Sequence, residues 1–216
     1  EEIIQENKLM VETALPIMKT FQCLLKLSGY MLTIYDDNGT ILHMEGDAEL
    51  ISHFEDINAR VGYVWNEETV GTTAHTLSML HQCPIQLIGP ENYCVMLQDN
   101  ITSSAPIMDE DGTLAGALVL VQKLGENPWE VNFHNLQSHT LGWITTMAVA
   151  IETQMSLKQR NADLKKMNSA LKIMNNTLNT TLEFIDEGIM TIDRKGAIKH
   201  ANKESSRILH TKPDEI

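Results

Sequence analysis

The side chains that most often carry out catalysis are scattered in this sequence and are not grouped in recognisable motifs. Of the eight histidines, His75 and His81 fall on one predicted helix. They are six residues apart, so they do not share the helix face that two metal ligands four residues apart would use. The glycine-rich nucleotide-binding patterns, the HExxH pattern and the GxSxG pattern are all missing. The sequence therefore predicts no catalytic residues, no metal site and no enzymatic activity.

Three aromatic residues are candidates for the wall of a ligand-binding site. Trp65 lies in a predicted loop with Tyr63 near it, and Tyr93 lies in a later short segment, in a chain with only 5% aromatic residues. An aromatic face can stack on an apolar ligand or hold a cation. The alternative is that Trp65 fills the core beneath its loop, and the sequence leaves both interpretations open.

A group of threonines marks the beginning of a predicted helix. Thr72, Thr73 and Thr76 lie where the free N–H groups of a helix N-terminus could hold a polar or anionic ligand. Helix capping by Thr72 or Thr73 explains the same residues without a ligand. Both interpretations stay open, and all three threonines are candidate ligand contacts.

Two serines and a methionine complete the candidate ligand site. Ser103 and Ser104 are neighbours on a predicted strand, so one of them faces inward because strand side chains alternate between faces. An inward serine could hydrogen-bond a ligand, whereas a solvated sheet edge is the alternative. Met79 could line the same cavity or fill a gap in the core. We expect a small organic effector at this site and no cofactor.

A heptad pattern in the last third of the chain predicts a coiled coil. Leucines recur every seven residues and methionines follow two of them by three residues, although Arg160 and Thr181 interrupt the seam. Up to about residue 155 such a stripe could pack on the chain's own domain. Beyond that point the helix is too long for one small domain, which favours a partner helix and a homodimer. The predicted dimerisation residues are Leu157, Leu164, Met167, Leu171, Met174 and Leu178.

The elements that would position these residues alternate between helices and hairpins. An amphipathic helix precedes two predicted hairpins, which turn at residues 37–39 and 109–112, with helices and a short strand between them. The second arm of the later hairpin is almost wholly apolar, as in a central strand. This order predicts an α+β fold, in which an antiparallel sheet has helices on both faces and a long coiled-coil helix follows.

Composition narrows the class of protein further. The chain has 16 basic and 29 acidic residues, a net charge of −13, so its surface repels phosphate and direct contact with DNA is not expected. No apolar stretch approaches the roughly 20 residues that a membrane span needs. Cys23, Cys83 and Cys94 show no CxxC spacing. We therefore expect a cytoplasmic protein with reduced thiols and no membrane contact.

Four short stretches together resemble the GAF domain of sigma-54-dependent transcriptional activators, and are most similar to activators of acetoin and dihydroxyacetone metabolism. The stretches are a Gly-x-x-Trp-x-Glu element leading into Gly-Thr-Thr-Ala at 62–74, Pro-Ile at 84–85, Gly-Pro-Glu-Asn-Tyr at 89–93, and Ser-Ser-Ala-Pro-Ile at 103–107 followed by Asp-Gly at 111–112. The resemblance implies a GAF-like fold with a ligand pocket between the sheet and segments 68–81 and 90–96.

The sequence departs from the family pattern at two positions. Thr73 stands where the family has asparagine, and the residues before Ser103 lack the cysteine that often precedes the Ser-Ala-x-Pro-Ile motif. Sensing through a thiol or a metal is therefore not carried over to this chain.

A second resemblance covers residues 182–205, which are similar to the opening of a PAS domain. Two predicted strands flank a turn at 193–196, and Asn202 begins the next helix. The predicted domains are a GAF-like sensor with an N-terminal helix (1–133), a signalling helix or coiled coil (134–183) and the incomplete beginning of a PAS domain (184–216). In the family an ATPase module and a helix-turn-helix follow, and these absent domains would contact the sigma-54 polymerase and DNA.

The predicted function is thus the small-molecule-sensing region of a bacterial transcriptional activator, which relays ligand binding through a dimeric coiled coil. One alternative is the sensory region of a histidine kinase or of a regulator of cyclic-nucleotide turnover, which use the same layout. Another is a ligand-free dimerisation module.

Overall fold

A computed structural model describes residues 5–27, 29–124 and 133–210 of the chain. The described chain divides into two compact units, Glu1–Lys158 and Gln159–Ile216. The first unit contains the predicted sensor and the beginning of the long helix, and the second contains the remainder of that helix and the segment similar to a PAS domain. The predicted division into three domains at residues 133 and 183 remains a prediction.

The first unit is built around a five-stranded antiparallel sheet with strand order β2-β1-β5-β4-β3. In chain order its elements are α1 (Lys8–Leu27), β1 (Tyr30–Asp36), β2 (Ile41–Gly46), α2 (Ala48–Asp56), α3 (Glu67–Val70), α4 (Ala74–His81), β3 (Ile85–Ile88), β4 (Asn100–Met108), β5 (Leu114–Lys123) and the first part of α5 (Phe133–Glu183). Two 3₁₀ turns, Gly89–Glu91 and Val95–Leu97, connect β3 to β4.

The first hairpin forms because its turn sequence satisfies its own backbone. The Asp36 carboxylate accepts hydrogen bonds from the N–H groups of Asn38 (3.0 Å) and Thr40 (2.6 Å), and Gly39 has φ +83°. Positive φ suits glycine because it has no Cβ. A side chain at Gly39 would also collide with the backbone of Trp65, which passes close to this turn.

One face of the sheet, here called the closed face, is covered by α1 and α5. Strand residues such as Ile34, Ile107 and Leu118 meet Met18 of α1 and Ile151 of α5 in one fully buried cluster. Since strand side chains alternate, these residues share the face opposite their immediate neighbours. The cluster places α5 on the central strands.

Polar contacts also hold α5 on the closed face. The Gln86 side chain of β3 donates from Nε2 to the hydroxyls of Ser103 (2.7 Å) and Thr140 (2.9 Å). The Glu152 carboxylate accepts a hydrogen bond from the Met108 N–H at 2.8 Å. These bonds fix the position of the helix along the strands, which apolar contacts alone do not specify.

The opposite face, here called the open face, is covered by α2, α4 and the loops that flank α3. Its buried cluster combines Met31, Tyr35 and Val119 of the sheet with Phe54 of α2 and the loop residue Trp65. Asp47 caps the beginning of helix α2, because its carboxylate accepts hydrogen bonds from the N–H groups of Glu49 and Leu50.

The second unit contains the C-terminal part of α5, a hairpin of β6 (Met190–Ile192) and β7 (Ile198–Ala201), and α6 (Lys203–Leu209). Buried Asn202 organises it: its Nδ2 donates to the carbonyls of Leu182 (2.9 Å) and Glu187 (2.8 Å), and its Oδ1 accepts from Ile189 N (2.9 Å) and Ser205 N (3.0 Å). This residue caps α6, as the sequence predicts.

The predicted fold class is confirmed, since an antiparallel sheet carries helices on both faces and a long helix follows it. Within the described ranges, none of the helices has both the length and the apolar character to cross a membrane.

Candidate functional site

A cavity of about 1040 Å³ opens to solvent among the loops that cover the open face. None of its described lining residues belongs to a strand, so it does not lie directly against the sheet, which is where the sequence predicts it. Ligand pockets usually enclose about 300–1,000 Å³, so this one has room for a small organic molecule with solvent. It lies between the loop that leads into α3 and the segment that contains the second 3₁₀ turn. Its lining is Ile57, Asn58, Tyr63, Val64, Trp65, Glu67, Glu68, Thr69, Val70, Gly71, Thr72, Tyr93, Cys94, Val95 and Met96.

Trp65 is the fixed wall of the cavity. Its backbone N–H donates to the Gly39 carbonyl at 2.7 Å and its indole Nε1 donates to the Asn58 carbonyl at 3.2 Å. Its ring lies 6.3 Å from that of Phe54, and only 5% of the residue is exposed. Trp65 therefore fills the core and also lines the cavity, so the two interpretations left open by the sequence are compatible.

The two tyrosines form the exposed part of the aromatic wall. Tyr63 is 50% exposed and Tyr93 is 74% exposed. The Tyr93 N–H donates to the Thr72 carbonyl at 3.2 Å, and its ring lies so close to Gly71 that a Cβ there would collide with it. Gly71 has φ +72°, so both its conformation and its lack of a side chain allow Tyr93 to approach.

Helix α3 brings two carboxylates to the cavity. Asn66 caps this single turn, because its side chain accepts hydrogen bonds from the N–H groups of Glu68 and Thr69. Glu67 and Glu68 both belong to the lining of the cavity. The Thr72 hydroxyl donates to Glu67 Oε1 at 2.7 Å. Thr72 is thus both a predicted site residue at the cavity and the partner that orients Glu67.

His75 links the cavity wall to α4. Its Nε2 lies 2.6 Å from the Trp65 carbonyl, which can only accept, so Nε2 carries the hydrogen and Nδ1 accepts from the Thr73 hydroxyl at 2.9 Å. The ring stacks on Tyr35 at 4.1 Å. Burial lowers the pKa of His75 to about 4, against smaller opposing effects of the Trp65 carbonyl and the Glu67 charge. The imidazole is therefore neutral at pH 7, and its two ring nitrogens connect the Trp65 carbonyl to the Thr73 hydroxyl.

The other predicted residues of the α4 region lie outside the cavity lining. Thr73 caps α4 and forms a capping box with Thr76, and both are buried. Met79 is half-buried on the same helix. Their roles as ligand contacts remain predictions, while the structure accounts for Thr73 and Thr76 through helix capping.

Ser103 and Ser104 lie on opposite faces of β4 and away from the cavity lining. Ser103 faces α5 and accepts from Gln86. Ser104 faces α4 and is in register with Val119, which is in register with Thr33. In the part of the chain that the structure describes, the buried hydroxyls of Thr33, Ser104 and Ser78 have no hydrogen-bond partner. The interface beneath α4 therefore contains buried hydroxyls without partners, whereas on the closed face Gln86 is hydrogen-bonded to Ser103 and Thr140.

Sequence reasoning did not single out Glu67, Glu68 or His75 as functional residues. Glu67 belongs to the Gly-x-x-Trp-x-Glu element, so the motif contained a signal for it. Nothing in the spacing of His75 indicates its contact with a residue ten positions earlier. Across residues 5–27, 29–124 and 133–210, no three His, Cys, Asp or Glu side chains are grouped closely enough to hold a metal ion.

A five-stranded antiparallel sheet with helices on both faces, followed by a long helix, gives the chain the predicted GAF-like fold class. No family model matches the chain. It is 28% identical over 214 residues to a signal-transduction and transcriptional-control protein of Clostridium beijerinckii, covering 99% of this chain and 31% of the relative. It is also 28% identical over 160 residues to the acetoin dehydrogenase operon transcriptional activator AcoR of Bacillus subtilis, covering 74% and 25%.

A regulator of dihydroxyacetone metabolism is related in both sequence and fold. The PTS-dependent dihydroxyacetone kinase operon regulatory protein of Escherichia coli is 22% identical over 184 residues, covering 82% of this chain and 25% of the relative. The crystal structure of the E. coli DhaR(N)–DhaL complex matches with a TM-score of 0.67 at 19% identity, covering 98% of this chain and 67% of the matched chain. The resemblance to activators of the acetoin and dihydroxyacetone type is confirmed. The chain spans a third or less of the length of these curated relatives.

Proposed function

We propose that this chain is the sensory region of a bacterial transcriptional activator, in which a small organic effector binds the cavity of the open face and alters the state of α5. The single observation that carries the proposal is the cavity itself, which is ligand-sized and lies across the sheet from the helix. The relatives regulate transcription, which supports an activator over the sensory region of a kinase or cyclase. In this proposal the chain regulates and does not catalyse.

The strands provide a physical route between the cavity and the helix. Tyr35 on the open face contacts His75, whereas its neighbour Ile34 packs on the closed face with α5. A displacement of β1 or β5 must therefore move side chains on both faces. A ligand that binds one position of the strands better than another shifts the population toward that position.

The C-terminal part of α5 supports the proposed homodimer. Its heptad side chains are 47–70% exposed, although leucine and methionine favour burial. The members are Leu157, Leu164, Met167, Leu171, Met174 and Leu178. An apolar seam of this spacing is covered by the same seam of a second copy in a coiled coil.

The seam begins on the side of the helix that points away from the sheet. Met155 and Ile151 are buried on the closed face. Leu157 follows Met155 by two residues, which is a rotation of about 200° around a helix. Two copies can therefore associate through the seam without displacing α5 from its sheet.

The proposed outputs lie outside this chain. With a net charge of −13, it is unsuited to contact DNA. In the proposal, other domains of the whole activator contact DNA and the sigma-54 polymerase in the cytoplasm, and the coiled coil conveys the ligand-bound state to them.

Ligand binding is tested by a thermal-shift screen of the full chain against small fermentation metabolites. A ligand at a hundredfold excess over its Kd stabilises the folded state by about 2.7 kcal/mol, which raises Tm by several degrees. Tyr93→Ala removes an exposed part of the wall and should abolish the shift. Leu80→Ala, which changes a residue 73% exposed outside the lining, is the matched control and should retain it.

A broad metabolite panel that leaves Tm unchanged, in a folded dimer, would contradict ligand sensing and favour the ligand-free dimerisation module. Trp65→Ala is a poor test because this residue is buried in the core, so its removal would lower stability by itself.

The dimer is tested by multi-angle light scattering of the full chain and of Leu171→Asp. A carboxylate in the apolar seam should convert the dimer to a monomer and leave the Tm of the sheet unit unchanged. Ser169→Asp introduces the same side chain two residues away, outside the seam, and should remain dimeric. A wild-type monomer at micromolar concentration would contradict the proposed coiled coil.

A further inference from the structure

The charged side chains among the described lining residues of the cavity all have the same sign. Glu67 and Glu68 line it, and none of the described residues in the lining is Lys, Arg or His. The Thr72 hydroxyl already donates to Glu67, which fixes that carboxylate without neutralising its charge. An anionic ligand would enter a site with two negative charges and no compensating cation, so carboxylates and phosphates are disfavoured.

Three of the seven Trp and Tyr residues of the chain line the same cavity. The whole chain has only 3 Trp and 4 Tyr, yet Tyr63, Trp65 and Tyr93 all line this one cavity. Aromatic faces carry partial negative charge and attract cations within about 6 Å of the ring centre. The rings and the carboxylates therefore favour the same ligand charge. Tyr63, Trp65 and both glutamates belong to one segment, and Tyr93 comes from a separate one.

The rings are also arranged so that one is fixed and two are accessible. Trp65 is held by three hydrogen bonds: its N–H donates to the Gly39 carbonyl, its indole Nε1 donates to the Asn58 carbonyl, and its carbonyl accepts from His75. His75 in turn stacks on Tyr35. Tyr63 and Tyr93 are half or more exposed at the mouth. Gly71 allows the Tyr93 ring to lie against the loop that carries Glu67 and Glu68. A cation can thus contact aromatic surface and carboxylates together.

We propose that the cavity selects an organic ammonium ion, because three aromatic rings and two carboxylates line it and none of its described lining residues is basic. This inference rests on the proposed ligand site and names the chemical class of its ligand. Apolar lining residues such as Val64, Val70 and Met96 would contact the carbon atoms of the ligand, while the rings and carboxylates surround its charged nitrogen. The strongly acidic surface would raise the local concentration of such cations.

The test compares two probes that have the same shape and differ in charge. Choline carries a trimethylammonium group, and 3,3-dimethylbutan-1-ol replaces it by an uncharged tert-butyl group. Both are titrated into the full chain, and the Kd of each is obtained from NMR chemical-shift changes. We expect choline to bind at least about fivefold more tightly, since cation–π and carboxylate attraction act on it alone.

Two variants localise the effect. Glu68→Gln removes one charge while keeping the shape, and should weaken choline binding by about two- to fivefold while leaving the neutral probe unchanged. Asp111→Asn makes the same change on the exposed β4–β5 turn, outside the lining, and should leave both affinities as they are. Tyr93→Leu keeps an apolar side chain and should reduce the preference for choline.

Each other outcome overturns the proposal in a distinguishable way. If the neutral probe binds as tightly as choline, the cavity is a ligand site but does not select cations. If choline fails to bind while the metabolite screen finds a neutral or anionic ligand, the ammonium class is wrong and the sensory function stands. If no probe and no metabolite binds, both proposals fail.

Discussion

On the closed face of the sheet, Ile34, Ile107 and Leu118 are completely buried against α1 and α5. On the open face the same strands contribute Tyr35, Thr33 and Ser104 to an interface with a buried histidine. The hydroxyls of Thr33 and Ser104 have no hydrogen-bond partner among the described residues, and a cavity lies in the loops that cover this face. The closed face is arranged for dense packing and thus for stability. The open face retains polar groups and empty volume, which lower stability but leave room for a ligand.

The same contrast appears within α5. Between Thr140 and Met155 the helix places an apolar stripe against the sheet. Its heptad residues from Leu157 to Leu178 are exposed. One continuous helix is therefore used first for packing within the chain and then, in our proposal, for association with a second copy.

The largest expected effect comes from removing a buried side chain of the closed face. Ile151→Ala leaves a cavity between α5 and the sheet and should lower the free energy of unfolding by about 2–5 kcal/mol. Val95→Ala truncates a residue at the cavity edge that is 75% exposed and should change it by less than about 0.5 kcal/mol. Urea unfolding of both variants measures the difference. Equal effects would mean that the two faces contribute alike to stability.

An effect of similar size is expected from pH, and it originates on the open face. His75 has a pKa of about 4 in the folded chain and 6.5 when unfolded, so between these values only the unfolded state gains the proton. Stability is full above pH 6.5 and should fall by about 3 kcal/mol as the pH drops to 4.

The control for this prediction is His75→Gln, which has no titrating group at this position. Unfolding free energies at pH 7, 5.5 and 4.5 should decline less steeply for the variant than for the wild type. Parallel curves would show that His75 is protonated or exposed in the folded state, which contradicts its buried hydrogen bonds to Trp65 and Thr73.

The smallest effects are expected at two neighbouring serines, with opposite signs. Ser103→Ala removes the acceptor of the Gln86 side chain on the closed face and should cost about 1 kcal/mol. Ser104→Ala removes a buried hydroxyl that has no partner within the described chain, and should stabilise by about 1 kcal/mol. Thermal unfolding of the pair measures both. A loss of stability in the Ser104 variant would indicate that a water molecule or ligand satisfies this hydroxyl in solution.

Local patterns in the sequence predicted most of the elements and part of the site. Alternation and turn residues predict both hairpins, because turn chemistry is local: Asp36 accepts the N–H groups of Asn38 and Thr40 within the first turn. The heptad predicted a continuous helix, and Phe133–Glu183 is one. Tyr63, Trp65, Thr72 and Tyr93 were predicted as site residues and lie together around the cavity.

Other features depend on contacts between segments that are far apart in the chain. Alternation predicts that Ser103 and Ser104 face opposite ways, but strand order and the position of α5 decide which of them meets Gln86. Likewise, His75 is buried, neutral and hydrogen-bonded to the Trp65 carbonyl only because α4 packs against the Trp65 loop.

The sequence by itself therefore determined the order of the elements, the class of fold and the heptad seam, because periodicity and turn chemistry act over a few residues. Only the tertiary structure decided that two glutamates and three aromatic rings line one cavity whose described lining contains no basic residue. That arrangement is set by how the α3 loop packs on the segment around Tyr93, where Gly71 leaves space for the ring. The charge of a cavity depends on which side chains lie together around it, and the packing of separate segments of the chain decides which side chains those are.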